Sequence, residues 1–194
     1  MLIEKIDKYL ITRKEPKRPN KCFHPSSLHK TPKELYYHYL DGEKQHFPAK
    51  IKRIFDNGHA VHTRLQNYLT DTKILYATEI PVSNEEYEIC GHADGAFLDN
   101  NEDILLEVKS INATNFFSLH SNGPKPEHLI QSNVYMFCLG FKKACLLYEC
   151  KDDQELKEFI TQLDSHILIP ILTKIKYVQY HIKLGIEPSN NVVF

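Results

Sequence analysis

Residues 95–108 constrain the fold more than any other stretch. Two short apolar runs, Gly95-Ala96-Phe97-Leu98 and Ile104-Leu105-Leu106-Glu107-Val108, flank Asp99-Asn100-Asn101-Glu102-Asp103, whose residues are turn chemistry. A β-hairpin is the expected outcome, so the chain must build a sheet around it. The start of the first strand carries Gly91-His92-Ala93-Asp94-Gly95 and the end of the second carries Glu107-Val108-Lys109, which brings an aspartate and a Glu-x-Lys onto neighbouring strands.

The rest of the chain supplies layers for that sheet. Apolar residues at Leu2, Ile3, Ile6, Leu10 and Ile11 predict a short helix, broken by Pro16 and Pro19 into an extended basic segment. Pro25-Ser26-Ser27-Leu28 offers one helix start toward an Asp41-Gly42 stop, and Thr31-Pro32 with Glu34 offers a second. From Ala49 to about Tyr68, apolar residues recur at three, four and seven, the signature of a long amphipathic helix. Strands are expected over 74–82, 87–90, 95–98, 104–108 and 143–149. A polar loop is expected around Asn122-Gly123-Pro124, a helix over 126–139, and a long helix over 152–184. This order predicts an α/β fold, a central mixed sheet flanked by helices, with a helical N-terminal segment and a long C-terminal helix.

At 194 residues, one core is the natural reading. The expected division is a basic arm over 1–24, a motif-bearing core over 25–150, and a C-terminal helix and tail over 151–194. No apolar run nears the roughly 20 residues of a membrane span. The N-terminal residues alternate charge with apolar side chains and lack an apolar signal core, so a cytoplasmic location is expected, or the host cytoplasm for a viral gene. Five cysteines, none spaced as C-x-x-C, suggest neither a disulfide framework nor a zinc ribbon, and reduced, buried thiols are expected. A net charge of −1 argues against a globally basic nucleic-acid binder. It leaves room for a local patch, found at Lys14, Lys17, Arg18 and Lys21.

Asp94 and Glu107 are hard oxygen donors suited to magnesium or manganese, and the Val108 carbonyl could add a third oxygen. Lys109 lies two residues after Glu107, on the same face of a strand, where its ammonium could orient a water or stabilise a transition state. Ser110 faces the other way. Two one-turn helical pairs, Gly58-x-x-x-His62 and Gln131-x-x-x-Tyr135, accompany these residues. The chemistry that needs a cation beside a lysine in this manner is phosphodiester cleavage.

In this order, Gly58…His62, Gly91-His92-Ala93-Asp94, Glu107-Val108-Lys109 and Gln131…Tyr135 resemble the motifs of the PD-(D/E)XK nuclease superfamily, and specifically its RecB-like branch. The resemblance runs from about residue 24 to about 150 and implies a restriction-endonuclease-like fold. It implies that His62, Asp94 and Glu107 bind metal, that Lys109 is catalytic, and that Gln131 and Tyr135 position DNA or the active-site strand. Glu79 and Ser110 are supporting candidates. It further implies a magnesium- or manganese-dependent deoxyribonuclease using one or two ions, an exonuclease or end-processing enzyme in DNA recombination, repair or replication. DNA ends or single strands would be its substrates. Targeting would depend on a protein partner, oligomerisation or DNA structure. A structure- or sequence-selective endonuclease and a catalytically silent DNA-binding adaptor are the alternatives. CRISPR-associated relatives hold an iron–sulfur cluster through a cysteine where this chain has Thr31, together with three C-terminal cysteines. Nothing after Cys150 is a cysteine, so no cluster is expected.

Overall fold

The computed structural model describes residues 1–14, 21–41 and 47–194. Pro16, Lys17, Arg18, Pro19 and Gly42 lie outside the described residues. A five-stranded sheet in the order β1-β2-β3-β4-β5 is built from Leu75–Asn84, Ile89–Asp99, Glu102–Ile111, Lys143–Cys150 and Leu156–Gln162. All neighbouring pairs are antiparallel except β3 and β4, so the sheet is mixed. The helices are α1 (Leu2–Thr12), α2 (Pro32–Asp41), α3 (Ala49–Asp71), α4 (Ala113–Asn122), α5 (Pro126–Leu139) and α6 (Ser165–Leu184). Among the described residues, no helix is long and apolar enough to cross a membrane.

The hairpin forms where the turn residues place it. Asn100 and Asn101 have φ of 49° and 63°, the double positive-φ turn whose twist matches flanking strands and which asparagine tolerates. The two apolar segments expected at 87–90 and 95–98 are one continuous strand, β2. Its middle, His92-Ala93-Asp94, lacks the alternation that would have marked it. Gly95 is required there: a Cβ would sit 2.8 Å from the Ala77 carbonyl of β1.

Helices cover both faces. Val61 and Leu65 of α3 pack on Ile104, Leu106 and Val108 of β3. On the other face Tyr135 and Met136 of α5 pack on Val82, Ala93 and Leu105. Behind α5, Val134 meets Leu168, Ile171, Ile175 and Val178 of α6, and this group reaches Leu35 and Tyr36 of α2. The Arg13–Asp56 ion pair, 2.9 Å, braces α1 against α3, as does a contact of Arg53 with Asp7.

Three expectations are corrected. Residues 156–162 are an edge strand, not the start of the last helix. Charged Lys157 and Glu158 mask an alternation in which Lys157, Phe159 and Thr161 turn inward. The loop expected before Asn122-Gly123-Pro124 is largely α4, capped by the Asn112 side chain accepting from the Asn115 N–H at 3.0 Å, with Phe116 and Leu119 buried. Cys22 and Cys90 are not separate thiols: they form a disulfide with Cα atoms 5.8 Å apart. A parallel bridge between Phe23 and Ile89 brings them together, a contact 66 residues apart in sequence that no local pattern encodes.

Of the two helix starts offered by the sequence, α2 uses the second. The Thr31 N–H and hydroxyl both donate to Glu34, at 2.9 and 2.7 Å, which closes a capping box. Pro25–Ser27 forms a separate 3₁₀ turn. Thr31, at the position a cluster-binding cysteine would take, thus has a structural task of its own.

Candidate active site

β2 and β3 stay paired from Asp99↔Glu102 back to Gly95↔Leu106. Beyond that point the strands part, and Asp94 and Glu107 stand at the fork. The Val108 N–H donates to Asp94 Oδ2 at 2.6 Å. In an extended residue the N–H and carbonyl leave by the same edge, so the Val108 carbonyl also faces the β2 side of the fork.

α3 approaches the fork from one side. His62 Nδ1 lies 3.1 Å from Asp94 Oδ1, which leaves its other ring nitrogen available. Burial disfavours the imidazolium, but the hydrogen bond and charge of Asp94 outweigh it and hold the His62 pKa above its ordinary value. One turn further on, Gln66 donates to the Asp94 carbonyl at 2.7 Å and to Glu79 at 2.8 Å. Glu79 lies between the pairs Thr78↔Gly95 and Ile80↔Ala93, opposite Asp94, with φ at 49°. A left-handed glutamate inside a strand is strained, and such strain gathers at functional sites. Gln66 was missed in the sequence; its signal was helical spacing of four from His62.

α5 approaches from the other side. Glu107 Oε1 accepts from Lys109 Nζ and from Gln131 Nε2, both at 2.6 Å, and Gln131 Oε1 accepts from Lys109 Nζ at 2.9 Å. Glutamate, lysine and glutamine therefore close a ring of hydrogen bonds. The Tyr135 hydroxyl stands 3.5 Å behind the Gln131 amide. It also lies against Gly91, where a Cβ would come within 3.3 Å of both this hydroxyl and the Pro25 ring. The first glycine of Gly91-His92-Ala93-Asp94 thus admits Tyr135 to the site.

Glu107 is 2% exposed, and its second oxygen, Oε2, is buried without a hydrogen-bond partner. Burial pushes its carboxyl up to about 7, helped by the charge of Asp94 and opposed by Lys109. An orphaned carboxylate oxygen near a second carboxylate, an imidazole and a strand carbonyl suits a divalent cation with hard donors.

The structure therefore brings together His62, Asp94, Glu107, Val108, Lys109, Gln131 and Tyr135, with Glu79 linked through Gln66. Ser110 is elsewhere. It pairs in register with Glu149, whose buried carboxylate is held by Arg64 at 2.7 Å, and its hydroxyl is a buried group without a partner. Lys14 and Lys21 are exposed, and Lys17 and Arg18 lie outside the described residues.

By sequence, no protein-family profile and no curated protein matches this chain. Solved structures do match in fold. LHK-Exo in complex with dAMP superposes with a TM-score of 0.65 at 20% identity, over 86% of this chain and 90% of that one. A second structure of that alkaline exonuclease, from Laribacter hongkongensis, gives 0.65 at 18% identity over 95% and 94%. A phage related exonuclease from Haemophilus somnus 129PT gives 0.51 at 14% identity over 86% and 96%. At such identities the likeness is one of fold.

Proposed function

We propose that this chain is a metal-dependent DNA nuclease of the PD-(D/E)XK superfamily, RecB-like in its motifs, acting as an exonuclease or end-processing enzyme in recombination, repair or replication. Residues 1–194 belong to one catalytic domain of that kind. The observation that carries this reading is the unpartnered Glu107 Oε2, buried at a fork that also holds Asp94, His62 and Lys109. One or two magnesium or manganese ions, held by His62, Asp94, Glu107 and the Val108 carbonyl, would neutralise charge on the phosphoryl oxygens and acidify a bound water.

The chain's own residues supply the rest. Lys109, anchored by Glu107 and Gln131, presents a fixed ammonium beside the carboxylates, where it can orient the water or stabilise developing negative charge. Gln131 and Tyr135 hold that ammonium in place and line the path of the strand to be cut. Glu79 and Gln66 fix Asp94 from behind. Lys14, Lys17, Arg18 and Lys21 would contact phosphates, a salt-sensitive interaction without sequence preference. The dAMP bound by LHK-Exo and the exonuclease activity named for two of the matching structures favour the exonuclease reading over an endonuclease or a silent adaptor.

The test is incubation of the purified chain with end-labelled linear single-stranded, linear duplex and closed circular DNA in magnesium, manganese or chelator. Cation-dependent loss of the linear substrates, with circles spared, is expected. Cleaved circles would make the enzyme an endonuclease, and DNA binding without cleavage would make it an adaptor.

A further inference from the structure

Phe23 donates its N–H to the Glu88 carbonyl at 2.7 Å, and its own carbonyl accepts from the Cys90 N–H at 3.1 Å. Its ring and the Ile89 side chain both enter the core, each 2% exposed. Side chains alternate along paired extended segments, so the two residues flanking Phe23 and the one after Ile89 leave on the opposite face. Those residues are Cys22, His24 and Cys90. Their ligand atoms all lie within 4.8 Å of one another. His24 Nε2 is 3.8 Å from Cys22 Sγ and 4.0 Å from Cys90 Sγ. Pro25 follows directly, buried at the start of the 3₁₀ turn, and holds His24 in extended backbone at φ −85° and ψ 126°.

We propose that Cys22, His24 and Cys90, with the disulfide reduced, form a binding site for a thiophilic divalent cation of the zinc class that fastens residues 22–24 to the start of β2. Zinc bonds of about 2.3 Å to sulfur and 2.0–2.1 Å to nitrogen place tetrahedral S and N ligands about 3.6 Å apart. The observed separations are close to this, so the imidazole is already in position. A dithiol reductant gives two electrons and two protons to the Cys22–Cys90 disulfide, is itself oxidised to a disulfide, and leaves two thiols. The cation then replaces both thiol protons, neutral His24 gives one ring nitrogen, and a water can fill the fourth position.

Soft donors distinguish this site from the carboxylate fork. Thiolate and imidazole select zinc, whereas carboxylate and carbonyl oxygens suit magnesium or manganese. Cys90 precedes Asp94 by four residues of β2, about 13 Å along a strand, so the two sites load independently. An iron–sulfur cluster needs about four cysteine thiolates, and among the described residues only two converge here.

Cobalt(II) alone is the probe. The full chain is reduced with a dithiol, freed of reductant without oxygen, and titrated with cobalt while thiolate-to-cobalt charge transfer is followed in the near ultraviolet. Saturation of the charge-transfer band at one thiolate-bound ion per chain, displaced by zinc, is expected in the wild type and equally in Glu107→Gln. Cys90→Ser or Cys22→Ser should abolish the band, and His24→Ala should weaken cobalt affinity at least tenfold. No band in the reduced wild type, or a band that survives both serine variants, overturns the proposal. As a check that needs no variant, zinc should lower the number of reagent-accessible thiols of the reduced, folded wild type by two; an unchanged number also overturns it.

Discussion

Glu107→Gln should abolish a specific pH dependence of stability. Burial raises the Glu107 carboxyl from its ordinary value of 4.5 to about 7. The folded chain therefore holds a proton that the unfolded chain has released. Stability is highest below the unfolded value, falls as pH rises from about 4.5 to about 7, and then levels off. A difference of roughly 2.5 pH units at about 1.4 kcal/mol each gives about 3 kcal/mol lost across that interval. In a chain of this size that is about 6–12 °C in Tm. Glutamine keeps the shape and cannot ionise, so the variant should show a much flatter profile and exceed the wild type at pH 8 in the absence of cation. Manganese should reverse the order, because it binds only the ionised wild type: at 100 times its Kd it would return about 2.7 kcal/mol. The assay is urea unfolding from pH 5 to 8, with chelator and with manganese. Parallel loss of stability in both proteins under chelator, or equal stabilisation of both by manganese, would mean that Glu107 is not the group that titrates.

His128 is half-buried, its ring 2.9 Å from the Tyr148 hydroxyl, and the burial, aided by the charges of Lys109 and Lys125, drives it down to about 3. Its contribution is therefore complete above pH 6.5 and lost on acidification, by about 2 kcal/mol at pH 5. His128→Asn should unfold with that much less acid sensitivity, read as the wild-type-minus-variant difference in urea; no difference would mean that His128 is solvated. Gly58 lies in the middle of α3, and a Cβ there would meet nothing within 4 Å. Gly58→Ala should raise stability by about 1 kcal/mol. If DNA passes over this face beside His62, the same change should lower kcat/KM, and unchanged kinetics would remove Gly58 from the substrate path. Gln66→Ala removes two hydrogen bonds that hold Asp94 and Glu79, so it should cost about 1–3 kcal/mol in thermal unfolding and weaken manganese binding. An unaltered manganese titration would confine Gln66 to the fold.

The parts of the fold legible in the sequence are those with strong local signals. The Asn100-Asn101 turn, the apolar period of α3 and the continuous apolar run Ile104-Leu105-Leu106 of β3 each encode their element without help from distant residues. β5 was hidden because its charged outward and half-inward residues look like the polar face of a helix. α4 was hidden because Asn112, Thr114 and Asn115 read as loop, although Asn112 is a cap. Within the site, motif residues such as His62 and Gln131 converge as their spacing suggests. Gln66 and the strained Glu79 depend on β1 lying beside β2, a pairing that neither segment announces alone. The Cys22–Cys90 contact depends on one bridge between distant segments, so counting cysteines could not reach it.

In the proposed function Lys109 acts on a scissile phosphodiester at a cation-loaded fork. That role is tested most directly by measuring single-turnover cleavage of linear DNA by wild type and Lys109→Ala, alongside manganese and DNA binding by each. Manganese-dependent cleavage by the wild type and a fall of at least about 100-fold in the variant are expected, with both affinities within a few-fold of wild type. Equal cleavage by the two proteins, or wild-type cleavage that persists in chelator, would contradict it.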